Sequence, residues 1–294
     1  MSGFGTQWLA LREPHDRHAR SAALEERLAG LLRSRRELPL RIVDLGCGTG
    51  ANLRHLAGRI GGAQRWRLVE HDPHLVAALP GVLDAWAAEH GHRFARAGSV
   101  WRLEGRRFTA EVAVEPIDLA VDFGAVAIEA AGLVTASALL DLVSESWLGT
   151  LLQRCAAARA TVLFALNYDG RIAWQPADPD DALVRDAFNA HQRTDKGFGP
   201  ALGPQAAARS RQLLGALGYR VACATSDWAI GAGDAAMKRA LLSGWASAAA
   251  EAQPASRAAV LGWRRRREDA MARSALRIDV GHLDLLGWPG AIAA

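Results

Sequence analysis

Ile42-Val43-Asp44-Leu45-Gly46-Cys47-Gly48-Thr49-Gly50 reads as a buried strand that carries an acid near its end and runs into three glycines at alternate positions. Such a turn lets backbone amides and a bulky ligand approach where any β-carbon would collide. A helix starting at Ala51 presents its unsatisfied N–H groups to the same crevice. Glu70 follows Gly50 by twenty residues and closes a second β-rich run. A carboxylate there can accept both hydroxyl hydrogens of a ribose, which sets an adenosine across the carboxyl ends of the first two strands.

Outward from this turn, short apolar runs alternate with helical patterns, the signature of a doubly wound α/β fold with a mostly parallel sheet and helices on both faces. The expected strands are Leu40 to Leu45, Trp66 to Glu70, Phe108 to Glu115, Leu133 to Ser137, Thr161 to Leu166, Tyr219 to Thr225 and a last β-like run from Ala275 to Leu286. Most are near-continuous apolar stretches, as strands buried on both faces should be. Helices are expected over Ser21 to Arg33, Ala51 to Arg59, His74 to His90 with a break at Pro80, Leu139 to Ala157 and Gly203 to Leu217. Two segments depart from alternation. Residues 167–202, rich in Asp, Pro, Gly, Trp and His, read as a long loop or lid, and residues 231–274 as a helical insertion broken near Pro254.

Half of the 294 residues are apolar and 22% are charged, which supports a sizeable core and argues against disorder. The arginine-rich first forty residues hold no apolar stretch of signal-peptide length. The most apolar region, Ala125 to Leu142, is interrupted by Glu129 and Asp141, so a cytosolic chain without a membrane span is expected. Cys47, Cys155 and Cys223 are too far apart for a disulfide framework or a paired-ligand zinc site. His71, Asp72 and His74 lack further partners, so no metal is expected. A net charge of +4 permits an anionic partner without demanding one.

The region from Leu40 to Leu166 resembles the class I S-adenosylmethionine-dependent methyltransferases. Asp44, Gly46, Cys47, Gly48 and Gly50 match the family's acid and Gly-x-Gly-x-Gly turn, and Glu70, followed by His71, matches its ribose-binding acid. Asp118, followed by Leu119, matches the acid that meets the adenine amino group after the third strand. The resemblance further implies that Thr135 to Leu139, with Ser137, line the methyl-transfer site, and that Arg20 or Arg12 of an N-terminal cover meets the donor carboxylate. It implies a seven-stranded sheet whose last strand runs antiparallel, in a domain over residues 40–294 behind a helical cover at 1–39. The cofactor implied is S-adenosyl-L-methionine. A nicotinamide dehydrogenase is the competitor, because Gly46, Gly48 and Ala51 also satisfy Gly-x-Gly-x-x-Gly/Ala. Asp44 opposes it, since a carboxylate beside a pyrophosphate is unfavourable but suits an ammonium- and sulfonium-bearing donor.

Methyl transfer from a sulfonium is mostly a matter of positioning, and a base is needed only for an acceptor protonated at working pH. Asn167, Tyr168 and His191 are the acceptor-side candidates, with His191 the first choice for a base. Trp174, Trp245 and Trp263 can wall an apolar pocket or simply pack, and Asp141 is read as facing solvent on its helix. A small-molecule acceptor is the favoured reading. The alternatives are RNA, for which the run Arg264 to Arg267 offers phosphate contacts, and a non-catalytic cofactor sensor.

Overall fold

The protein is described by a computed structural model covering residues 5–33, 39–231 and 233–290; residues 1–4 and 34–38 of the expected cover lie outside these described residues. Two helices, α1 (Thr6–Ala19) and α2 (Ala22–Arg33), precede the sheet. There follow β1 (Leu40–Leu45), α3 (Ala51–Ile60), β2 (Gly62–Val69), α4 (Pro73–Glu89), β3 (Arg93–Ala97), β4 (Val100–Gly105), β5 (Phe108–Glu115), β6 (Leu133–Ser137) and α5 (Glu145–Ala157). The remainder is β7 (Thr161–Gln175), α6 (Asp181–Gln192), α7 (Ala206–Ala216), β8 (Tyr219–Thr225), β9 (Trp228–Ile230), α8 (Ala235–Ala252), α9 (Arg257–Ala272) and β10 (Arg277–Pro289).

The strands form one sheet in the order β3-β4-β5-β2-β1-β6-β7-β10-β8, with β9 added on β10. From β5 to β7 all neighbours are parallel, and β10 runs antiparallel between β7 and β8. The chain builds outward from β1 to β2 and β5, then returns to place β6 on the other side of β1. The carboxyl ends of β1 and β6 therefore border the crevice where a doubly wound sheet binds its ligand.

Alternation along β1 explains the layering. Leu40 and Ile42 pack with Leu24 of α2, Leu53 of α3 and Leu79 of α4. Val43 and Leu45 pack on the opposite face with Leu148 of α5 and Leu214 of α7. A third core lies among the outer halves of β7 and β10 and helices α6, α8 and α9, around Trp174, Trp245 and Trp263. The three rings pack edge to face, Trp174 lying 5.3 Å from each of the other two, so they fill this core rather than wall an open pocket.

The seven expected strands are all present, and β3, β4 and β9 extend them. The β3–β4 hairpin was invisible to a search for apolar runs because its Arg-Phe-Ala-Arg-Ala strand is an exposed edge. The segment read as a loop from Asn167 is strand as far as Gln175 and helix over α6. Its polar turn formers hide an alternation in which Ile172 and Trp174 are buried and Arg171 and Ala173 exposed. Helix α4 runs through Pro80 without a break. Helix α5 starts six residues later than expected, where Ser144 caps it by accepting from the Trp147 amide.

Asp284 of β10 ties the cover to the sheet. One carboxylate oxygen accepts from the Ser21 amide (2.9 Å) between α1 and α2, and the other from the Leu166 amide (2.8 Å), where β7 takes a positive φ. Asp284→Ala leaves both donors without an acceptor and is expected to lower unfolding stability by about 2 kcal/mol, read as a shift in the urea midpoint at unchanged m.

Candidate active site

The three glycines of the turn all adopt left-handed φ: +61° at Gly46, +55° at Gly48 and +77° at Gly50. Helix α1 crosses directly above, so that a β-carbon at position 48 would lie 3.0 Å from Leu9. The Cys47 amide donates to the Val69 carbonyl (3.0 Å), fastening the turn to β2. Burial raises the Cys47 thiol well above its ordinary pKa, which makes it a packing group rather than a nucleophile.

Glu70, one residue past β2, is buried and points at the same turn. Its Oε2 accepts from the Gly48 amide (3.0 Å), and its Oε1 accepts from the amides of His71 (2.9 Å) and Asp72 (3.0 Å). Carboxylate oxygens carry two lone pairs each, so Oε2 retains a free acceptor position. The His71 ring is largely exposed, 3.6 Å from Oε1. Asp118, three residues beyond β5, is half-buried and accepts the Ala120 amide (2.8 Å), while the Leu119 carbonyl beside it accepts Trp147 Nε1 (2.8 Å). Ser137 closes β6 on the other side of β1 and lines a cavity of about 320 Å³ with Arg20, Asn52 and Leu166.

The most informative group lies behind Asn52, one of the residues that line this cavity. Asp44, 1% exposed, accepts from Asn52 Nδ2 (2.8 Å) at Oδ1, and its Oδ2 has no partner. Burial, reinforced by the charge of Glu70, pushes its carboxyl up to about 7 against the pull of Asn52 and Arg20. Arg20 reaches the same network: its Nη2 donates to Asn52 Oδ1 (2.6 Å), while its buried Nε has no hydrogen-bond partner among the described residues. Asn52 also donates to Thr135 Oγ1 (2.9 Å), whose hydroxyl donates to the Leu163 carbonyl (2.8 Å). One buried acid and one buried base thus stand apart, bridged by an amide, each with an unused polar atom. Asp44 Oδ2 and Arg20 Nε are among several buried side-chain atoms without a partner among the described residues, and these two are joined through Asn52 beside the glycine turn.

The acceptor-side candidates divide. Asn167 is 1% exposed, and both its amide hydrogens are donated to carbonyls, of Phe164 and Leu283 (2.9 Å each), where β7 and β10 shift register. Tyr168 donates its hydroxyl to Asn189 Oδ1 (2.7 Å), and burial pushes its phenol up, so it pins α6 to β7. His191 lies on α6 between Glu251 of α8 (3.5 Å) and Lys196 (3.4 Å), and none of its polar contacts is with Asn167, Tyr168 or the glycine turn. Burial and the Lys196 charge lower its pKa.

Asp141 corrects its sequence reading. It lies on the turn between β6 and α5, nine-tenths buried, because the helix on which it was expected to face solvent begins only at Glu145. Asn52 was passed over because it lies outside the glycine motif, its only sequence signal being its place two residues after Gly50.

Three of the four arginines of the basic run on α9 are engaged within the protein. Arg264 pairs with Glu268 (2.7 Å), Arg266 with Asp178 (2.6 Å) and Asp180 (2.7 Å), and buried Arg267 with Asp181. Among the described residues no group of three His, Cys, Asp or Glu side chains is arranged to hold a metal, and no helix is long and apolar enough to cross a membrane.

No family model matches the chain. No curated protein matches it. Among solved structures it is similar to an S-adenosylmethionine-dependent methyltransferase from Thiobacillus denitrificans in complex with S-adenosyl-L-homocysteine, at 17% identity over 96% of this chain and 98% of that one, with a TM-score of 0.43. It is also similar to a cyclopropane-fatty-acyl-phospholipid synthase-like protein from Lactobacillus casei, at 15% identity over 97% and 94% of the two chains, with a TM-score of 0.45. A third similar structure is the cyclopropane synthase MmaA2 from Mycobacterium tuberculosis, at 11% identity over 98% and 87%, with a TM-score of 0.41.

Proposed function

We propose that this chain is a cytosolic S-adenosylmethionine-dependent methyltransferase acting on a small-molecule acceptor. The observation that carries the reading is the separated pair Asp44 and Arg20, each with an unpartnered buried polar atom. An amino-acid zwitterion satisfies both at once, its ammonium at Asp44 and its carboxylate at Arg20. The methionyl end of the donor is such a zwitterion and a dinucleotide offers none, so the same pair argues against a nicotinamide cofactor.

The remaining residues fit the rest of the donor. Glu70 supplies acceptor positions for ribose hydroxyls beside the glycine turn, and Asp118 with Leu119 stands at the adenine end. When bound, the donor supplies an electrophilic methyl group on a sulfonium. The protein's own task is to orient it, to exclude water beneath α1 and to place an acceptor in line. Unpaired Cys47, Cys155 and Cys223 suit a reducing compartment. With Arg264, Arg266 and Arg267 occupied by carboxylates, the α9 run supplies little for RNA phosphates.

Titration calorimetry with S-adenosylhomocysteine and with NADH tests the reading: the thioether binds and NADH does not, and the reverse result overturns it. The pH dependence adds a finer check. Asp44 must be ionised to hold an ammonium, so affinity for the thioether is expected to rise about tenfold between pH 6 and pH 8, centred on the carboxyl's pKa of about 7. Asp44→Asn should remove that dependence. In the free protein the sign is opposite. A carboxyl raised above its unfolded pKa binds more protons when folded, so its contribution to stability is present at low pH and is lost as pH climbs from about 4 to about 7.

A further inference from the structure

We infer that His55 belongs to the donor site, its Nδ1 accepting a hydrogen from the methionyl ammonium; this rests on the methyltransferase reading. Glu25 is the residue that keeps that nitrogen free of a proton. His55 lies on α3, one turn beyond Asn52, and lines the cavity of about 320 Å³ together with Arg20, Asn52 and Ser137. The residue is 7% exposed. Its Nε2 meets Glu25 Oε1 of α2, and the other Glu25 oxygen pairs with Arg59 Nε (2.8 Å). Its Nδ1 is buried and has no hydrogen-bond partner among the described residues.

The partner fixes the tautomer. An ionised carboxylate only accepts, so Nε2 carries the hydrogen and Nδ1 of the neutral ring carries a lone pair. Burial raises the Glu25 carboxyl, but contact with His55 and the charges of Arg20 and Arg59 outweigh it and hold the pKa below its ordinary value, so Glu25 is ionised. Burial lowers the imidazole pKa, the hydrogen bond to Glu25 opposes it, and the charges of Arg20 and Arg59 tip the balance further down. The remaining charges on this cavity do not reverse that balance. On α1, Glu13 is paired with Arg54 of α3, Asp16 is paired with Arg12, and Arg17 makes no ion pair among the described residues. His90 and His92, which follow α4, add no carboxylate. His55 is therefore a neutral hydrogen-bond acceptor in the same cavity as Arg20, whose free Nε is a donor.

An amino-acid zwitterion suits this arrangement. Its carboxylate takes the guanidinium of Arg20, and its ammonium has three hydrogens to share between Asp44 Oδ2 and His55 Nδ1. The reverse placement, a carboxylate at His55, sets a lone pair against a negative charge unless the ring is protonated, which burial and the charges of Arg20 and Arg59 oppose. A hydrogen bond to a charged group contributes enough for the loss of Nδ1 to weaken donor binding about tenfold. Acid acts in the same direction, since an imidazolium offers the ammonium no lone pair and repels it.

S-adenosylhomocysteine and 5′-methylthioadenosine are the probes, the second keeping the adenosine and thioether but lacking the amino-acid end. Both are titrated at pH 8, where Asp44 is largely ionised. His55→Gln keeps a partner for Glu25 and leaves nothing at the Nδ1 position, whereas His55→Asn sets an amide oxygen there. His55→Gln is expected to bind S-adenosylhomocysteine about tenfold more weakly and 5′-methylthioadenosine as the parent does, and His55→Asn to recover part of the loss. A loss of less than about twofold, equal weakening of both probes, or no recovery in His55→Asn overturns the inference. Nitrogen NMR of the parent protein with isotope-labelled histidine rings decides the matter even where a variant fails to fold. One imidazole with an unprotonated Nδ1 should shift on adding S-adenosylhomocysteine and stay in place on adding 5′-methylthioadenosine; no shift, or the same shift with both, overturns the inference. Binding of neither probe is a separate result, which overturns the methyltransferase reading.

Discussion

Glu70→Ala protein is expected to bind S-adenosylhomocysteine about 100-fold more weakly than the parent chain, the largest loss of any single substitution at the donor site. Two effects add. On the proposed reading the carboxylate accepts from the ribose hydroxyls, and hydrogen bonds to a charged group contribute about 1.5–3 kcal/mol each. It also holds the Gly48 amide (3.0 Å) and the amides of His71 and Asp72, which fix both the glycine turn and the start of α4. Glu70→Gln separates the two. Its amide group keeps one acceptor oxygen but turns an N–H₂ toward backbone donors on one side, so most of the affinity should still be lost. The fold should persist, because β2 ends at Val69 and its pairing with β1 and β5 does not involve the Glu70 side chain. Calorimetry at pH 8, where Asp44 is largely ionised, keeps that group from obscuring the result. A loss of less than about fivefold, near 1 kcal/mol, would place the ribose elsewhere.

Glu70 was legible in the sequence because it belongs to a local pattern: a strand, a turn and an acid at a fixed distance. So were β1 and the carboxyl-end position of Ser137, since strands buried on both faces announce themselves as apolar runs. The outer half of β7 was not. Asp169-Gly170 has the composition of a turn, yet Gly170 takes φ +90° within a strand that continues to Gln175. What decides its conformation is antiparallel pairing with β10, more than a hundred residues away, where Ile278 meets Trp174 and Val280 meets Ile172. Asp141 was misread for a related reason. Its burial depends on where α5 begins, which is not written in the residues around position 141. The Asp44–Asn52–Arg20 bridge joins three elements of the chain, so its members were identifiable one at a time and the charge separation among them was not.

The third core offers the strongest test of stability. Arg267 is 2% exposed, an unusual fate for a guanidinium, and it closes α9 onto the segment between β7 and α6. Its Nη1 donates to the Pro176 carbonyl (2.5 Å), its Nη2 to Asp181, and its guanidinium lies 5.9 Å from the rings of both Trp174 and Trp263. Arg267→Ala removes these contacts together and leaves the Asp181 carboxylate with Trp263 Nε1 (2.8 Å) and the Asp178 amide (2.9 Å). Breaking a buried ion pair from one side costs about 3–5 kcal/mol, and the two surviving donors to Asp181 put the expected loss near 3 kcal/mol. That loss should fall on one part of the molecule. The cores on either side of the parallel strands share no buried residue with the tryptophan core, so near-ultraviolet dichroism from Trp174, Trp245 and Trp263 should fade at lower urea than the far-ultraviolet signal of the sheet. Arg267→Met separates charge from volume: it refills the space against the tryptophans but leaves Asp181 without its cation, so it should recover only the packing share. Asp181→Asn combined with Arg267→Met removes both charges, and recovery in that pair would show that the single substitution was costly because of the stranded carboxylate. Coincident transitions at both wavelengths in Arg267→Ala protein, with a midpoint shift worth less than about 1 kcal/mol, would mean that α9 is held by its apolar face alone.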